Sequence, residues 1–398
     1  MTVLFSILAA VLIWFSYRSF RGGIDYLRYF RQELAKSPST YAPFVSVIAP
    51  CRGPDEGIER NLGALLEQDY PDYEVIFVVD SEDDPAVDVI RKLSNGRLVV
   101  AARSKDSSQK VENLREAVLH TDRRSDAFVF VDSDARPART WLRHLVAPLE
   151  DDQVGAATGY RWFISTRVTF ASEMRNMWNA SIASALGPNR SSNFCWGGST
   201  AIRRDVFDRL AIRERWRGTL SDDFTVTRAV NDAGLDIYFV PQALTPSIES
   251  CTLRELFEFT TRQMKITRVY ARNLWLMAFF GSGLFTTVML TALLIVIFSA
   301  RNDVQVAVAM LTIVLVTFFS IGKSWLRLSA VRLVLGGYDA SLRRQFLPQI
   351  ALWSLAPALF LYNCGYAWVS RRLTWRGTTY EMVSPNETRI VGPDPDQK

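Results

Sequence analysis

The stretch Phe128-Val129-Phe130-Val131-Asp132-Ser133-Asp134-Ala135 decides how the rest of this sequence is interpreted. Its four leading apolar residues are typical of a buried strand in a parallel sheet. Two carboxylates follow one residue apart, and open α/β sheets bind ligands at the carboxyl ends of their strands. Carboxylate oxygens suit Mg²⁺ or Mn²⁺. By itself, the motif favours a metal site at Asp132 and Asp134 no more strongly than a polar turn.

Strands and helices alternate along the chain before this stretch. Apolar runs at 44–50, 73–79 and 97–101 predict strands, and helical spacing at 58–66, 87–93 and 110–119 predicts the helices between them. This order indicates right-handed βαβ units, a mostly parallel sheet and an α/β fold. Arg52 and Asp80 follow two of the strands and should share an edge with Asp132 and Asp134. No glycine-rich phosphate loop is present, which disfavours dinucleotide enzymes and P-loop ATPases.

Two further stretches hold candidate functional residues. Residues 194–200 contain Gly197 and Gly198, which either let the backbone approach a ligand closely or form an ordinary hairpin. Residues 219–224 open a predicted helix over 225–233, and either Ser221 or Asp222 can cap it, so capping is a competing explanation for Asp222. Asp223 is the better candidate for a general base, because one carboxylate within reach can accept a hydroxyl proton.

Long uncharged runs indicate a membrane protein. Residues 1–22 form a predicted anchor, 251–272 an amphipathic helix, and 273–370 membrane and interfacial helices, followed by a polar tail over 371–398. The amphipathic helix lies either in the headgroup plane or in solvent as a basic helix. Three uncharged runs follow the soluble domain at 43–250, and three spans would place the arginines of the tail outside. This conflicts with the positive-inside rule. Either the last segment is re-entrant, or one span is an interfacial helix, or the rule does not hold here, and the sequence does not decide between these alternatives.

Composition narrows the partners and the chemistry. The chain carries 46 Lys and Arg against 41 Asp and Glu. In a membrane-attached chain this balance favours contact with anionic headgroups over nucleic acid. The four cysteines lack metal-type spacing and are predicted to be free thiols facing a reducing cytosol. The only two histidines fall in predicted helices away from the motifs, which disfavours a histidine base or a zinc site.

Several blocks together resemble the ceramide glucosyltransferases and their bacterial relatives, among them hopanoid-lipid glycosyltransferases. The blocks keep the order and spacing of the family, although each alone is weak; they lie at 68–75, 83–89, 110–114, 131–133 and 374–377, with Tyr380. The resemblance implies an inverting glycosyltransferase with a cytosolic GT-A domain. It also implies a multi-pass protein of a bacterial inner membrane that acts in sphingolipid or hopanoid metabolism.

The resemblance also implies roles for individual residues. Asp223, with Asp222 beside it, would be catalytic, and Asp132 and Asp134 would hold Mg²⁺ or Mn²⁺ against the donor diphosphate. The predicted donor-binding residues are Arg52, Asp80, Lys110, Asp132, Gly197, Arg262 and Lys265. Within the family motif at 262–266, Lys265 replaces an arginine and Ile266 replaces a tryptophan. A lysine makes less directional contacts with a diphosphate than an arginine does. Replacement of the tryptophan removes an aromatic floor beneath the sugar or acceptor, which puts the identity of the sugar and acceptor in question.

The predicted function is transfer of glucose or N-acetylglucosamine from a UDP-sugar to the hydroxyl of a membrane lipid such as ceramide or a hopanoid. Two enzymatic alternatives are a polyprenyl-phosphate sugar transferase and a processive polysaccharide synthase, the second of which would need more spans. A non-enzymatic alternative is a silent membrane scaffold that keeps the fold. The presence of Asp80, Asp132, Asp134 and Asp223 argues against the scaffold.

Overall fold

The computed structural model describes residues 2–53, 55–93, 95–298 and 303–393. The chain forms two compact units. The sheet unit consists of Glu33–Arg167, Ala185–Ser250 and Arg371–Lys398. The helical unit consists of Met1–Gln32, Val168–Ser184 and Cys251–Ser370.

The strands all belong to the sheet unit, and the helices are divided between the two units. The strands are β1 (Val45–Pro50), β2 (Tyr73–Val79), β3 (Arg97–Val100), β4 (Ala127–Val131), β5 (Val154–Thr158), β6 (Arg161–Ile164), β7 (Ser199–Arg203), β8 (Asp236–Phe239), β9 (Thr245–Ile248), β10 (Arg372–Trp375), β11 (Thr378–Ser384) and β12 (Glu387–Pro393). The helices are α1 (Thr2–Leu34), α2 (Ile58–Leu66), α3 (Pro85–Lys92), α4 (Gln109–Ala117), α5 (Trp141–Val146), α6 (Phe170–Ala183), α7 (Arg204–Arg209), α8 (Ile212–Arg215), α9 (Asp222–Asp232), α10 (Leu253–Tyr270), α11 (Arg272–Phe298), α12 (Asp303–Val334), α13 (Asp339–Arg344), α14 (Phe346–Ala351) and α15 (Ala356–Val369).

A seven-stranded sheet in the order β3-β2-β1-β4-β7-β5-β8 forms the centre of the sheet unit. Strands β1, β2, β3 and β4 pair in parallel, and so do β5 and β8. Strand β7 runs antiparallel between β4 and β5. The predicted α/β class with a mostly parallel sheet is therefore confirmed.

Strand β4 is buried on both faces, as its continuous apolar run predicts. Val129 and Val131 pack into one core on one side of the sheet, and Phe128 and Phe130 pack into a second core on the other side. Successive side chains of a strand point to opposite faces, so both layers of helices depend on this strand. Fully burying a side chain of this size contributes about 1.5–3 kcal/mol.

The helical unit contains α1, α11 and α12, which are long and apolar enough to cross a membrane. Helices α14 and α15 are long and apolar enough to cross a membrane only when taken together, and the chain bends by 57° between them. Helix α1 continues past the predicted anchor at 1–22 as far as Leu34. The extension is amphipathic, since Tyr26 and Phe30 are buried while Arg28 and Arg31 are exposed.

Helix α10 covers most of the predicted amphipathic segment. Thr252 caps it, because its hydroxyl accepts from the Glu255 amide while the Glu255 carboxylate accepts from the Thr252 amide. Leu256 and Met264 are buried in the core of the helical unit, and Leu253 is exposed. The location of this helix in the headgroup plane stays a prediction.

The segment expected as a polar tail differs from that expectation. It folds into the antiparallel sheet β10-β11-β12 and belongs to the sheet unit. Arg376 and Gly377 join β10 to β11 with φ values of 49° and 73°. Two consecutive left-handed residues are the backbone requirement of a tight hairpin turn. Tyr380 and Met382 are buried, so alternate apolar residues anchor this small sheet.

Candidate active site

The candidate site lies where β4 ends. Asp132 Oδ1 is 2.8 Å from Lys110 Nζ, and Asp132 Oδ2 is 3.0 Å from an Arg161 guanidinium nitrogen. A second nitrogen of Arg161 is 3.2 Å from Asp134 Oδ2. Lys110 also reaches Asp222 Oδ2 at 3.2 Å. The structure thus brings together four of the residues predicted from sequence, in one network of opposite charges.

Capping residues place Lys110 beside Asp222. The Ser108 hydroxyl caps α4 by accepting from the Val111 amide, and it donates to the Leu220 carbonyl at 2.7 Å. The Ser108 amide donates to the Thr219 carbonyl at 3.0 Å. These bonds join the loop before α4 to the loop before α9, which brings the first turns of the two helices together.

Ser221, not Asp222, caps α9. Its side chain accepts a hydrogen bond from the Phe224 amide. Capping therefore does not account for Asp222, which points instead toward Lys110. Asp223 Oδ1 accepts from the Phe224 amide at 2.7 Å and from the Ser221 hydroxyl. Within the described chain its Oδ2 makes no hydrogen bond, which leaves one oxygen of this carboxylate available.

The two glycines of the 194–200 turn contact the charge network. A Cβ added at Gly197 would collide with the Asp222 carboxylate and lie 2.9 Å from Lys110 Nζ. A Cβ added at Gly198 would lie 2.7 Å from Asp132 Oδ2. The absence of side chains here therefore permits the close approach of this turn to the network. The role of Gly197 in donor binding stays a prediction.

Sequence reasoning missed Arg161, the residue that bridges the two carboxylates. Its guanidinium lies 4.8 Å from the ring centroid of Trp196 and 5.5 Å from that of Phe163. Both distances are typical of cation–π contacts. Arg161 opens β6, outside the strands used for prediction, and nothing in its spacing distinguishes it from the other arginines of the chain.

Arg376 in the β10–β11 turn was missed as well. It forms an ion pair with Asp55 and donates to the Arg52 carbonyl at 3.1 Å. Asp55 accepts in turn from the Ser133 hydroxyl at 2.7 Å, and Ser133 lies between the two site aspartates. The family-like block at 374–377 marked Arg376 in the sequence. Its position beside Asp55 could not be predicted, because that position depends on the β10–β11 hairpin.

Burial and neighbouring charges separate the behaviour of the acidic groups. Burial raises the pKa of Asp222 to about 6, with Lys110 opposing the rise and Asp223 adding to it. Burial acts on Asp132 in the same direction, but Lys110 and Arg161 outweigh it and hold the pKa of this carboxyl below its ordinary value. Burial raises the pKa of Asp134, although Arg161 opposes it. Of these three carboxyl groups, Asp132 therefore holds its negative charge most strongly.

Asp132 and Asp134 fit a divalent cation in the presence of a phosphate ligand. Asp134 Oδ1 is buried and accepts no hydrogen bond, so it is an available hard oxygen. Across the described residues, no group of three or more His, Cys, Asp or Glu side chains converges on a metal position. Mg²⁺ in nucleotide sites is commonly bound by one or two carboxylates, with substrate phosphates completing the coordination.

The remaining predicted residues lie in two different settings. Asp80 follows β2, two strands from β4 along the sheet. Arg52 follows β1, and its guanidinium is 3.4 Å from the Thr378 hydroxyl. Arg262 and Lys265 lie on α10 in the helical unit, where Lys265 Nζ is 4.8 Å from the centroid of the Tyr366 ring. Their contacts with a donor stay predictions.

Comparison with known proteins identifies relatives of this chain. It is 22% identical over 249 residues to ceramide glucosyltransferase 1 of Caenorhabditis elegans, covering 58% of this chain and 51% of that protein. It is 27% identical over 143 residues to ceramide glucosyltransferase 3 of the same organism, covering 33% and 31%. The matched part of the chain thus spans about half the length of the first relative (51%) and about a third of the second (31%).

A solved structure is similar at low identity. This is the mannosyltransferase PcManGT from Pyrobaculum calidifontis in complex with GDP-Man and Mn²⁺, with a TM-score of 0.45 and 19% identity over 91% of this chain and 97% of that chain. The family described as glycosyl transferase family 21 matches residues 3–388, which is nearly the whole sequence. The chain therefore belongs to glycosyl transferase family 21.

Proposed function

We propose that this protein transfers a sugar from a UDP-sugar to the hydroxyl group of a membrane lipid, with inversion at the anomeric carbon. The observation that carries the proposal is the junction of Lys110 with both Asp132 and Asp222, next to the available oxygen of Asp223. One group of side chains thus offers phosphate neutralisation and proton acceptance. Family membership and the ceramide glucosyltransferase relatives support the same reaction class.

The donor half of the site neutralises charge. Lys110 and Arg161 hold the carboxylates of Asp132 and Asp134 beside the carboxyl ends of the parallel strands. A divalent cation held by these two aspartates would supply Lewis-acid stabilisation of the departing diphosphate. Arg376, with its guanidinium near Asp55, adds a further positive charge from the hairpin.

The acceptor half of the site removes a proton. Asp223 accepts the proton of the lipid hydroxyl on its free Oδ2 while the hydroxyl oxygen bonds to the anomeric carbon. The bond from that carbon to the diphosphate oxygen breaks at the same time, and UDP leaves with the electron pair. A single displacement of this kind inverts the carbon and needs no second carboxylate as nucleophile, unlike a retaining glycosidase.

The test measures UDP release from protein purified in detergent with Mn²⁺. The donors are UDP-glucose, UDP-N-acetylglucosamine and UDP-galactose, each offered with ceramide, diacylglycerol or a hopanoid polyol. Asp223→Asn should reduce turnover by at least about 100-fold, in the range expected for loss of a general base. UDP binding should be retained, because the donor contacts are unchanged.

Asp232→Asn is the matched control. It makes the same chemical change on the same helix, at an exposed residue 3.8 Å from Arg215. Its turnover should match that of the unsubstituted protein. An Asp223→Asn protein with normal turnover would overturn the base assignment. UDP binding without release for every donor and lipid would favour a scaffold.

A further inference from the structure

Helix α12 carries two cations one helical turn apart inside the helical unit. Arg327 is only 2% exposed, and Lys323 is partly buried. The Lys323 ammonium donates to the Ser19 hydroxyl of α1 at 2.8 Å. The backbones of the two helices approach closely at this level, since a Cβ on Gly23 would lie 3.4 Å from Lys323 Cα. Lys323 is thus held against α1 by packing.

The polar neighbours of Arg327 leave hydrogen-bond donors without acceptors. One terminal nitrogen of Arg327 donates to Gln349 Oε1 at 2.7 Å and lies 3.3 Å from Met177 Sδ. Arg327 Nε and Gln349 Nε2 are buried and have no hydrogen-bond partner. Gln349 itself is only 1% exposed. Two unpartnered N–H groups here call for a ligand rich in acceptor oxygens.

No carboxylate compensates these two charges. In the part of the chain that the structure describes, neither Lys323 nor Arg327 forms an ion pair with an aspartate or glutamate. Taking a charge out of water without a partner is strongly unfavourable, and buried charges are normally paired. Two cations four residues apart on one helix also repel each other. An anion bound at this position would remove both penalties.

The position along α12 identifies the source of such an anion. The uncharged run 304–322 separates Asp303 from Lys323. At a rise of 1.5 Å per residue these 20 steps span about 30 Å, which matches the hydrocarbon thickness of a bilayer. Lys323 and Arg327 therefore fall at the level of the lipid headgroups, where the phosphates of anionic lipids lie.

We propose that Lys323, Arg327 and Gln349 form a binding site for the phosphate group of an anionic membrane lipid. The two cations attract the negatively charged phosphate, and the unpartnered N–H groups of Arg327 and Gln349 donate to phosphate oxygens. Charge-assisted bonds of this kind are shorter and stronger than bonds between neutral groups. The site lies in the helical unit and does not depend on the proposed transfer reaction.

The experiment measures lipid binding by the full chain purified in a neutral detergent. Melting temperature and native mass spectrometry follow the addition of phosphatidylglycerol, phosphatidylcholine or inorganic phosphate. Phosphatidylglycerol should raise the melting temperature and remain bound, because a ligand specific for the folded state stabilises it. Phosphatidylcholine, which has no net charge, and inorganic phosphate should have little effect.

Two variants test the residues. Arg327→Met keeps most of the side-chain volume and should weaken phosphatidylglycerol binding by at least about tenfold, which one lost charge-assisted contact can produce. Lys323→Gln should weaken it in the same direction, and it serves if Arg327→Met folds poorly. Arg332→Gln is the control, because Arg332 lies on the same helix but is paired with Asp339 at 2.7 Å on the surface.

Three results would overturn the proposal. Equal stabilisation by phosphatidylcholine would show that the net negative charge of the lipid is irrelevant. A full effect from inorganic phosphate alone would exclude the lipid as the source of the anion. Unchanged phosphatidylglycerol binding in both Arg327→Met and Lys323→Gln would show that the lipid binds elsewhere.

Discussion

Burial is the main cause that raises the pKa of the Asp222 carboxyl to about 6. Above this pH it is ionised and pairs with Lys110, and below it the pair is lost. We expect kcat/KM for UDP release to fall as the pH drops through about 6. Asp222→Asn should remove this limb of the profile. Lys110→Met should move the limb to higher pH, because the ammonium group lowers the pKa of Asp222.

The contribution of Asp222 to folding stability should change with pH in the direction opposite to its effect on activity. Its pKa in the folded protein lies above the ordinary value of 3.8, so the folded state binds the proton more tightly than the unfolded state. Protonation of Asp222 between about pH 6 and pH 4 therefore contributes stability, and this contribution is lost as the pH rises. In that window, Asp222→Asn should flatten the pH dependence of the melting temperature. A loss of activity that merely tracked unfolding would contradict the electrostatic explanation.

Arg161 competes with a cation for Asp132 and Asp134. Its guanidinium engages one oxygen of each carboxylate at 3.0 and 3.2 Å. We expect Arg161→Met to bind Mn²⁺ about tenfold more tightly in the absence of nucleotide, because a neighbouring positive charge opposes the ion and about 1.4 kcal/mol corresponds to a factor of ten. Electron paramagnetic resonance of free Mn²⁺ measures this directly.

Asp134→Asn removes a negative charge beside the same cation site, whereas Arg161→Met removes a positive one. It should therefore weaken Mn²⁺ binding. Together the two variants distinguish competition from a general disturbance of the site. Unchanged or weaker Mn²⁺ binding in Arg161→Met would mean that the arginine does not occupy the cation position.

At the level of single elements, the β10–β11 hairpin carries Arg376 to Asp55. The turn depends on Gly377, whose φ of 73° lies in the left-handed region. Gly377→Val should strain this turn by about 1–2 kcal/mol and raise the donor KM, because Arg376 would be held less often beside the site. Steady-state kinetics with varied UDP-sugar measures the change. Gly234→Val is the matched control, since Gly234 has a φ of 69° with open space around it.

The hairpin also illustrates what the sequence could predict. The strands at 45–50, 73–79 and 127–131 and the helix at 58–66 follow local patterns, because apolar runs and helical spacing are set by neighbouring residues. Strand β7 pairs antiparallel between β4 and β5, and nothing local specifies that position. The same holds for Arg161 and Arg376, which join the site through contacts between distant segments. Asp132, Lys110 and Asp222 could be predicted from the sequence, because each of them lies in a motif.

For the molecule as a whole, chain connectivity constrains the membrane crossings. The chain leaves the sheet unit after Ser250 and returns to it at Arg371. A chain that starts and ends on one side of a bilayer crosses it an even number of times. We predict that α11 and α12 each cross the membrane, and the bent pair α14–α15 would then enter it without crossing. The arginines of the segment 371–398 would then lie on the same side of the membrane as the rest of the sheet unit, in agreement with the positive-inside rule.

Cysteine labelling in sealed vesicles tests this topology. The four native cysteines are buried free thiols, so they should react little with a membrane-impermeant maleimide. Glu59→Cys and Arg389→Cys introduce exposed reporters in the sheet unit, and Val304→Cys introduces one at the start of α12. The first two should label from the same face of the membrane and Val304→Cys from the opposite face, because a single crossing separates α12's two ends. All three should label once detergent opens the vesicles. Labelling of Arg389→Cys together with Val304→Cys would instead require that α14–α15 crosses the bilayer.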